Sequence, residues 1–204
     1  IDLLSGPVLS VPTGTQAVGG FGLPKPYGGS LSLELTATSE PQCIDLFSVD
    51  RRAVSSNPIA EFIVRVGANG STSDVDLSVG VANATSTSDA DAIAESVFVH
   101  IDGGSLNLYA ESDDGTTEVN ATDTTVDFTA GSAVSNRFEV WIDARNPADV
   151  QIYIDGVLVL GSTVFTLAAA TGPLGLLVLL EKVTGTATAG PVYIDRACLR
   201  TAEQ

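Results

Sequence analysis

Histidine is the first residue to test, because Ser–His–Asp and Cys–His catalysis both need one. The chain of 204 residues has one, His100, between Val99 and Ile101 in an alternating apolar run. No Gly-x-Ser-x-Gly elbow accompanies it and neither cysteine carries a catalytic motif. His100 therefore reads as a strand histidine rather than a general base. Paired carboxylates come next. Cleaving a glycosidic bond needs one carboxylic acid and one carboxylate across it, and acids at alternate positions of one strand would aim both into one cleft. The nearest run is Glu111-Ser-Asp113-Asp114-Gly-Thr-Thr-Glu118. Its Asp-Asp-Gly is turn chemistry, so Glu111 and Glu118 are placed on different strands and read as solvated hairpin acids. Asp89, Asp91, Asp113 and Asp114 are weak candidates for oxygen ligands of calcium, but no Asp-x-Asp-x-Asp-Gly loop is present. The sequence thus assigns no catalytic residue, no cofactor-binding residue and no metal site. Structural calcium is the one cofactor the acidic loops leave open.

Cys43 and Cys198 lack zinc-type spacing. They read as two buried free thiols, with pairing open only if the early and final strands are neighbours. Asn69-Gly-Ser, Asn83-Ala-Thr and Asn120-Ala-Thr are sequons, significant only where a host glycosylates its exterior proteins.

The elements that must position these residues are strands. In Phe138-Glu-Val-Trp-Ile-Asp, the residues Phe138, Val140 and Ile142 share one face and Trp141 takes the other; Val75, Leu77 and Val79 alternate likewise. Asp155-Gly156 between Gln151–Ile154 and Val157–Leu160 is a two-residue hairpin signal, since both positions need positive φ. Asp102-Gly103-Gly104 and Asp113-Asp114-Gly115 are further turns. Short strands are expected at Thr117–Val119 and Val126–Thr129, and a helical turn only at Ser88–Glu95. Many short strands at regular spacing predict an all-β, two-sheet antiparallel jelly-roll sandwich over 31–204.

Residues 1–30 are too rich in Gly and Pro for a periodic element, so they read as an extended arm. Apolar residues recur in it: Leu3, Leu4, Val8, Leu9, Val11, Phe21 and Leu23. They are the expected interface with other copies or a larger shell, because free chains rarely carry so many. Charge adds an exclusion. Lys and Arg total 9 against 25 Asp and Glu, and the net charge of −16 repels phosphate backbones and offers no polybasic membrane anchor. No nucleic acid and no membrane are expected as partners. Such a balance, with Lys25 and Lys182 as the only lysines, suits a salt-rich setting and predicts that salt raises stability.

Val97-Phe-Val-His-Ile-Asp-Gly, Leu106-Asn-Leu-Tyr-Ala-Glu-Ser-Asp-Asp-Gly, Arg137-Phe-Glu-Val-Trp-Ile-Asp, Val150-Gln-Ile-Tyr-Ile-Asp-Gly-Val, Pro173-Leu-Gly-Leu-Leu-Val and Val192-Tyr-Ile-Asp form a train over about Ile59–Leu199. It resembles the concanavalin/laminin-G type of jelly roll. More narrowly, it is similar to virion proteins of tailed viruses that carry such a domain on the head shell. The resemblance implies a non-enzymatic capsid decoration protein on the virion exterior. Its partners would be the major capsid protein and other copies of itself, a trimer before a dimer. The alternative is a lectin-like module binding surface glycans at an extracellular or cell-surface site; a divergent glycosidase comes third. A glycan site would need an aromatic platform, and the sequence leaves open whether Trp141 packs between sheets or lines an open face.

Overall fold

The computed structural model describes residues 8–10, 31–35, 41–66, 75–86, 89–101, 105, 107–127, 137–182 and 189–201. Its strands are β1 (Val8–Ser10), β2 (Leu31–Leu35), β3 (Gln42–Ser48), β4 (Pro58–Val66), β5 (Val75–Ala82), β6 (Glu95–Ile101) and β7 (Asn107–Asp114). They continue as β8 (Glu118–Asp127), β9 (Arg137–Asp143), β10 (Gln151–Ile154), β11 (Val157–Val159), β12 (Gly175–Lys182) and β13 (Ala189–Thr201). One antiparallel sheet runs β1-β3-β12-β5-β6-β7-β8 and the other β11-β10-β9-β4-β13-β2. This is the expected two-sheet jelly-roll sandwich.

Alternation builds the core. Leu46, Val79, Val97, Leu176 and Val178 point inward from the seven-stranded sheet and meet Phe62, Val140, Ile152, Ile194 and Leu199 of the six-stranded one. Phe138, Val140 and Ile142 are buried together as expected. The Asp155-Gly156 hairpin holds both residues at positive φ, 49° and 78°, and pairs Ile154 with Val157.

Three local expectations need correction. Of the expected strands 117–119 and 126–129, residues 118–119 and 126–127 belong to one strand, β8, on the edge of its sheet, and 128–129 lie outside the described residues. The register of β8 against β7 shifts twice and most of its side chains are exposed, so the sequence loses its period of two there. No helical turn forms over 89–95. The Asp91 amide donates to Asp89 Oδ1 at 3.0 Å and Ile93 N–H to the Ala90 carbonyl at 3.0 Å, a local side-chain bond competing with helix. The two thiols are free as expected, but not both are buried. Cys43 faces outward from β3 and Cys198 outward from β13, on opposite outer faces, and Cys198 is only half-buried.

Of the arm residues, Val8 and Leu9 lie in β1, which pairs antiparallel with β3 of the same chain, Leu9 opposite Phe47. Leu3, Leu4, Val11, Phe21 and Leu23 lie outside the described residues, as do Asn69 and Asp102-Gly103-Gly104.

Two buried carboxylates tie the 166–172 segment to the strands. Glu95 accepts from Thr171 N–H (2.9 Å), the Thr171 hydroxyl (3.1 Å), Gly172 N–H (2.8 Å) and the Asn83 side-chain amide (3.0 Å). Asp114 accepts from Thr116 and Thr117 N–H, Ala169 N–H and the Thr166 hydroxyl. Burial pushes both carboxyls up, but these donors outweigh it and hold both below the ordinary range. Glu95→Ala would leave these buried donors without an acceptor, at roughly 1–3 kcal/mol for each such group. A loss of about 3 kcal/mol is expected, or roughly 10 °C in thermal midpoint, with Glu95→Gln milder because it keeps one acceptor oxygen. A midpoint unchanged by Glu95→Ala in a thermal melt would contradict this tie.

Candidate functional site

Each sheet has an outer face, and the two differ. On the six-stranded sheet, register places Cys198, Glu61, Trp141, Tyr153 and Leu158 in one row across β13, β4, β9, β10 and β11. Trp141 lies outside the core and is 38% exposed. It shares an open groove of about 660 Å³ with Ile59, Glu139, Asp143, Arg145, Tyr153 and Arg200, lined also by Asp155-Gly156.

The platform is held from its edges. Trp141 Nε1–H donates to Glu139 Oε1. The Arg200 guanidinium carbon stands 5.5 Å from the Trp141 ring centre while its Nη2 donates to Glu61 at 2.9 Å. Buried Glu61 also takes Arg196 at 3.2 Å. The Tyr153 hydroxyl donates to Gln151 Oε1 at 2.9 Å. Arg145 clamps Asp143 through Nε and Nη2, at 2.9 and 2.6 Å, and although burial pushes that carboxyl up, the clamp holds it below the ordinary range. The β13 bulge leaves Asp195 unopposed, and Arg65 grips it at 2.7 Å through two nitrogens. Five of the seven arginines, Arg65, Arg137, Arg145, Arg196 and Arg200, sit on or beside this face, and each pairs with a carboxylate.

The outer face of the seven-stranded sheet is acidic. Phe47, Leu177, Gly80, Phe98 and Glu111 form one row across β3, β12, β5, β6 and β7. Ala90 and Ile93 of the β5–β6 connection pack down on its apolar part. That packing brings Asp89 and Asp91 over a cleft of about 310 Å³, lined also by Asp76, His100, Glu111 and Glu181. Glu111 and Glu181 are buried, at 5% and 7% exposure. Burial, aided by Asp91 and Asp89, pushes the Glu111 carboxyl up to about 7; burial with Asp89 and Asp76 pushes Glu181 to about 8. Cys43, opposite Glu181 on the neighbouring strand, rises to about 12, through burial and then the charges of Glu181 and Asp45.

The sequence reading of Glu111 as a solvated acid is therefore corrected: it is buried in the cleft, while Glu118 is exposed on β8. His100 is half-buried and meets Tyr109 edge-on, ring centres 5.7 Å apart. Asp89 and Asp91 reach the cleft, whereas Asp113 accepts the Gly115 amide at 2.7 Å and Asp114 is spent on the 166–172 segment. Among the described residues, no three His, Cys, Asp or Glu side chains stand together as a metal site. Asn83 is engaged by Glu95, and Asn120 borders the cleft. Sequence reasoning missed Glu181. Its one signal was an acid continuing the unbroken apolar run Leu176–Leu180.

No protein-family model and no curated protein matches the chain. Solved structures do. The carbohydrate recognition domain of Emp47p aligns over 99% of this chain and 94% of its own, at 10% identity and a TM-score of 0.61. The catalytic domain of an endo-1,3-β-glucanase (laminarinase) from Thermotoga petrophila aligns over 86% and 79%, at 12% identity and 0.58. Alginate lyase AlgAT5 of polysaccharide lyase family 7 aligns over 88% and 81%, at 16% identity and 0.57. Identities this low speak for architecture alone: the chain has the concanavalin-like jelly-roll fold.

Proposed function

We propose that this chain is a non-catalytic glycan-binding module acting at an extracellular or cell-surface site, and that the Trp141 groove is where it binds. The observation that carries this is the exposed Trp141 beside Tyr153, ringed by fixed donors and acceptors. A pyranose offers an apolar C–H face to an aromatic ring and hydroxyls that both donate and accept. Asp143, Arg145 and Arg200 on one side of the ring and Glu139 on the other supply both kinds of partner. Solved structures of the same fold that are carbohydrate recognition domains or glycan-active enzymes lend support.

A glycan array followed by titration of the best binder tests it. Trp141→Ala should weaken binding at least about 30-fold, the size of a lost anchor aromatic, with little change in thermal midpoint because the ring is partly exposed. Absence of any glycan binding, or equal binding by Trp141→Ala, would refute the assignment. Release of reducing ends would refute its non-catalytic part.

A second reading places the module on a virion exterior, bound to the major capsid protein as a homo-oligomer, a trimer before a dimer. Its support is the sequence resemblance; β1 itself pairs with β3 of the same chain. Deleting residues 1–30 should then abolish stoichiometric binding to undecorated capsids; unchanged binding would discard the arm as anchor.

A further inference from the structure

The acidic cleft on the seven-stranded sheet has no part in the Trp141 groove, and its chemistry is different. Around it, among the described residues, stand Asp76 from β5, Asp89 and Asp91 from the β5–β6 connection, Glu111 from β7 and Glu181 from β12, with no lysine or arginine lining it. Glu181 is more than nine-tenths buried, lines the cleft, and its Oε2 has no hydrogen-bond partner. A buried carboxyl oxygen left unsatisfied is costly, and burial beside other carboxylates disfavours its charged form. A cation placed between them removes both penalties.

We propose that this cleft binds a ligand carrying a primary ammonium, specifically a sugar unit whose amine is free. Three observations select this class. The carboxylates come from four elements and no three converge as a metal site, whereas calcium draws six to eight oxygens to about 2.3–2.6 Å. An ammonium instead directs three N–H donors to separate acceptors at ordinary hydrogen-bond lengths. The volume of about 310 Å³ is that of a small-molecule site rather than of a bare ion. Ser78 and Asn120 also line the cleft, as partners for hydroxyls. The choice of a sugar rests on the glycan-binding reading; the choice of an ammonium rests on the cleft alone.

The test is calorimetric titration of the whole chain at pH 7.5 with three β-1,4-linked tetramers: glucosamine, N-acetylglucosamine and glucose. The free-amine tetramer should bind at least tenfold more tightly than the other two. Glu181→Gln should remove that preference, and Asp89→Asn, on the exposed connection, should reduce it without risk to the core. Trp141→Ala should leave it intact. Equal binding of the free and acetylated tetramers would overturn the proposal. So would a preference insensitive to both Glu181→Gln and Asp89→Asn, or calcium binding alone that Glu181→Gln abolishes. Because Trp141→Ala reads the other groove, failure there with the amine preference retained would sink the Trp141 assignment and leave this one standing.

Discussion

Gly80→Ala is expected to be among the most damaging single substitutions in the chain. A Cβ at position 80 would overlap the Val97 carbonyl oxygen and lie 2.7 Å from Phe98 Cδ1 and 3.0 Å from Phe98 Cα. Two of those three atoms are backbone of the neighbouring strand, so no side-chain rotation relieves the clash. β5 lies in the middle of its sheet, between β12 and β6, and must part from β6 or twist. Overpacking of this kind costs about 1–3 kcal/mol and more where backbone must move. A loss of at least about 3 kcal/mol is expected, seen as a fall of roughly 10 °C or more in midpoint or as failure to accumulate folded protein. The damage should reach the acidic cleft, since Phe98 packs under Ala90 and Ile93 and sits opposite Glu111. Gly156→Ala is the control. Its Cβ meets nothing within 4 Å, and only its φ of +78° opposes the change, a cost of about 1 kcal/mol. Equal effects from the two would invalidate the steric argument.

Folding stability should peak near pH 5 and fall as pH rises towards 9. Glu111 and Glu181 have folded values of about 7 and 8, above the ordinary 4.5. Between 4.5 and 8 the folded state keeps protons that the unfolded chain has released, so unfolding free energy declines with pH. Every tenfold gain in proton affinity on folding is worth about 1.4 kcal/mol, but the two carboxyls share neighbours and their contributions overlap. A total decline of about 4 kcal/mol is expected. Below pH 4 the sign reverses. Glu95 and Asp114 sit below the ordinary range, and what they contribute is lost as acid protonates them. Urea unfolding across pH 3–9 measures both limbs. The Glu111→Gln, Glu181→Gln pair should flatten the alkaline limb alone. A wild-type curve level from pH 5 to 9 would show that the cleft does not hold its protons.

The sandwich is legible in the sequence because its signals are local. Alternation in Phe138–Ile142 and the positive-φ demand at Asp155-Gly156 are properties of neighbouring residues, and both survive in the structure. The same alternation puts Trp141 opposite the core residues but does not say what covers it. That depends on β4, β10 and β13 arriving at particular registers from distant parts of the chain. The acidic cleft is harder still. Glu111, Asp76 and Glu181 are brought together by strand order β12-β5-β6-β7, in which β12, late in the chain, lies beside the much earlier β5. Glu111 reads as a hairpin acid because Asp113-Asp114-Gly115 follows it; its burial comes from the β5–β6 connection folding back over the sheet, which no local pattern announces. β8 reads as two strands because an edge strand with one exposed face and two register shifts has no continuous period.

The unequal outer faces give the molecule an electrical polarity. Nearly neutral pairs occupy one side and carboxylates gather on the other, so the protein is a dipole as well as a strong anion. Approaching a negatively charged envelope or cell wall, it experiences a torque that turns the seven-stranded sheet away and presents the six-stranded one. The groove bearing Trp141 and Tyr153 then meets the surface first. At ionic strengths where the screening length drops to about 3 Å this alignment fades, leaving encounters to random tumbling.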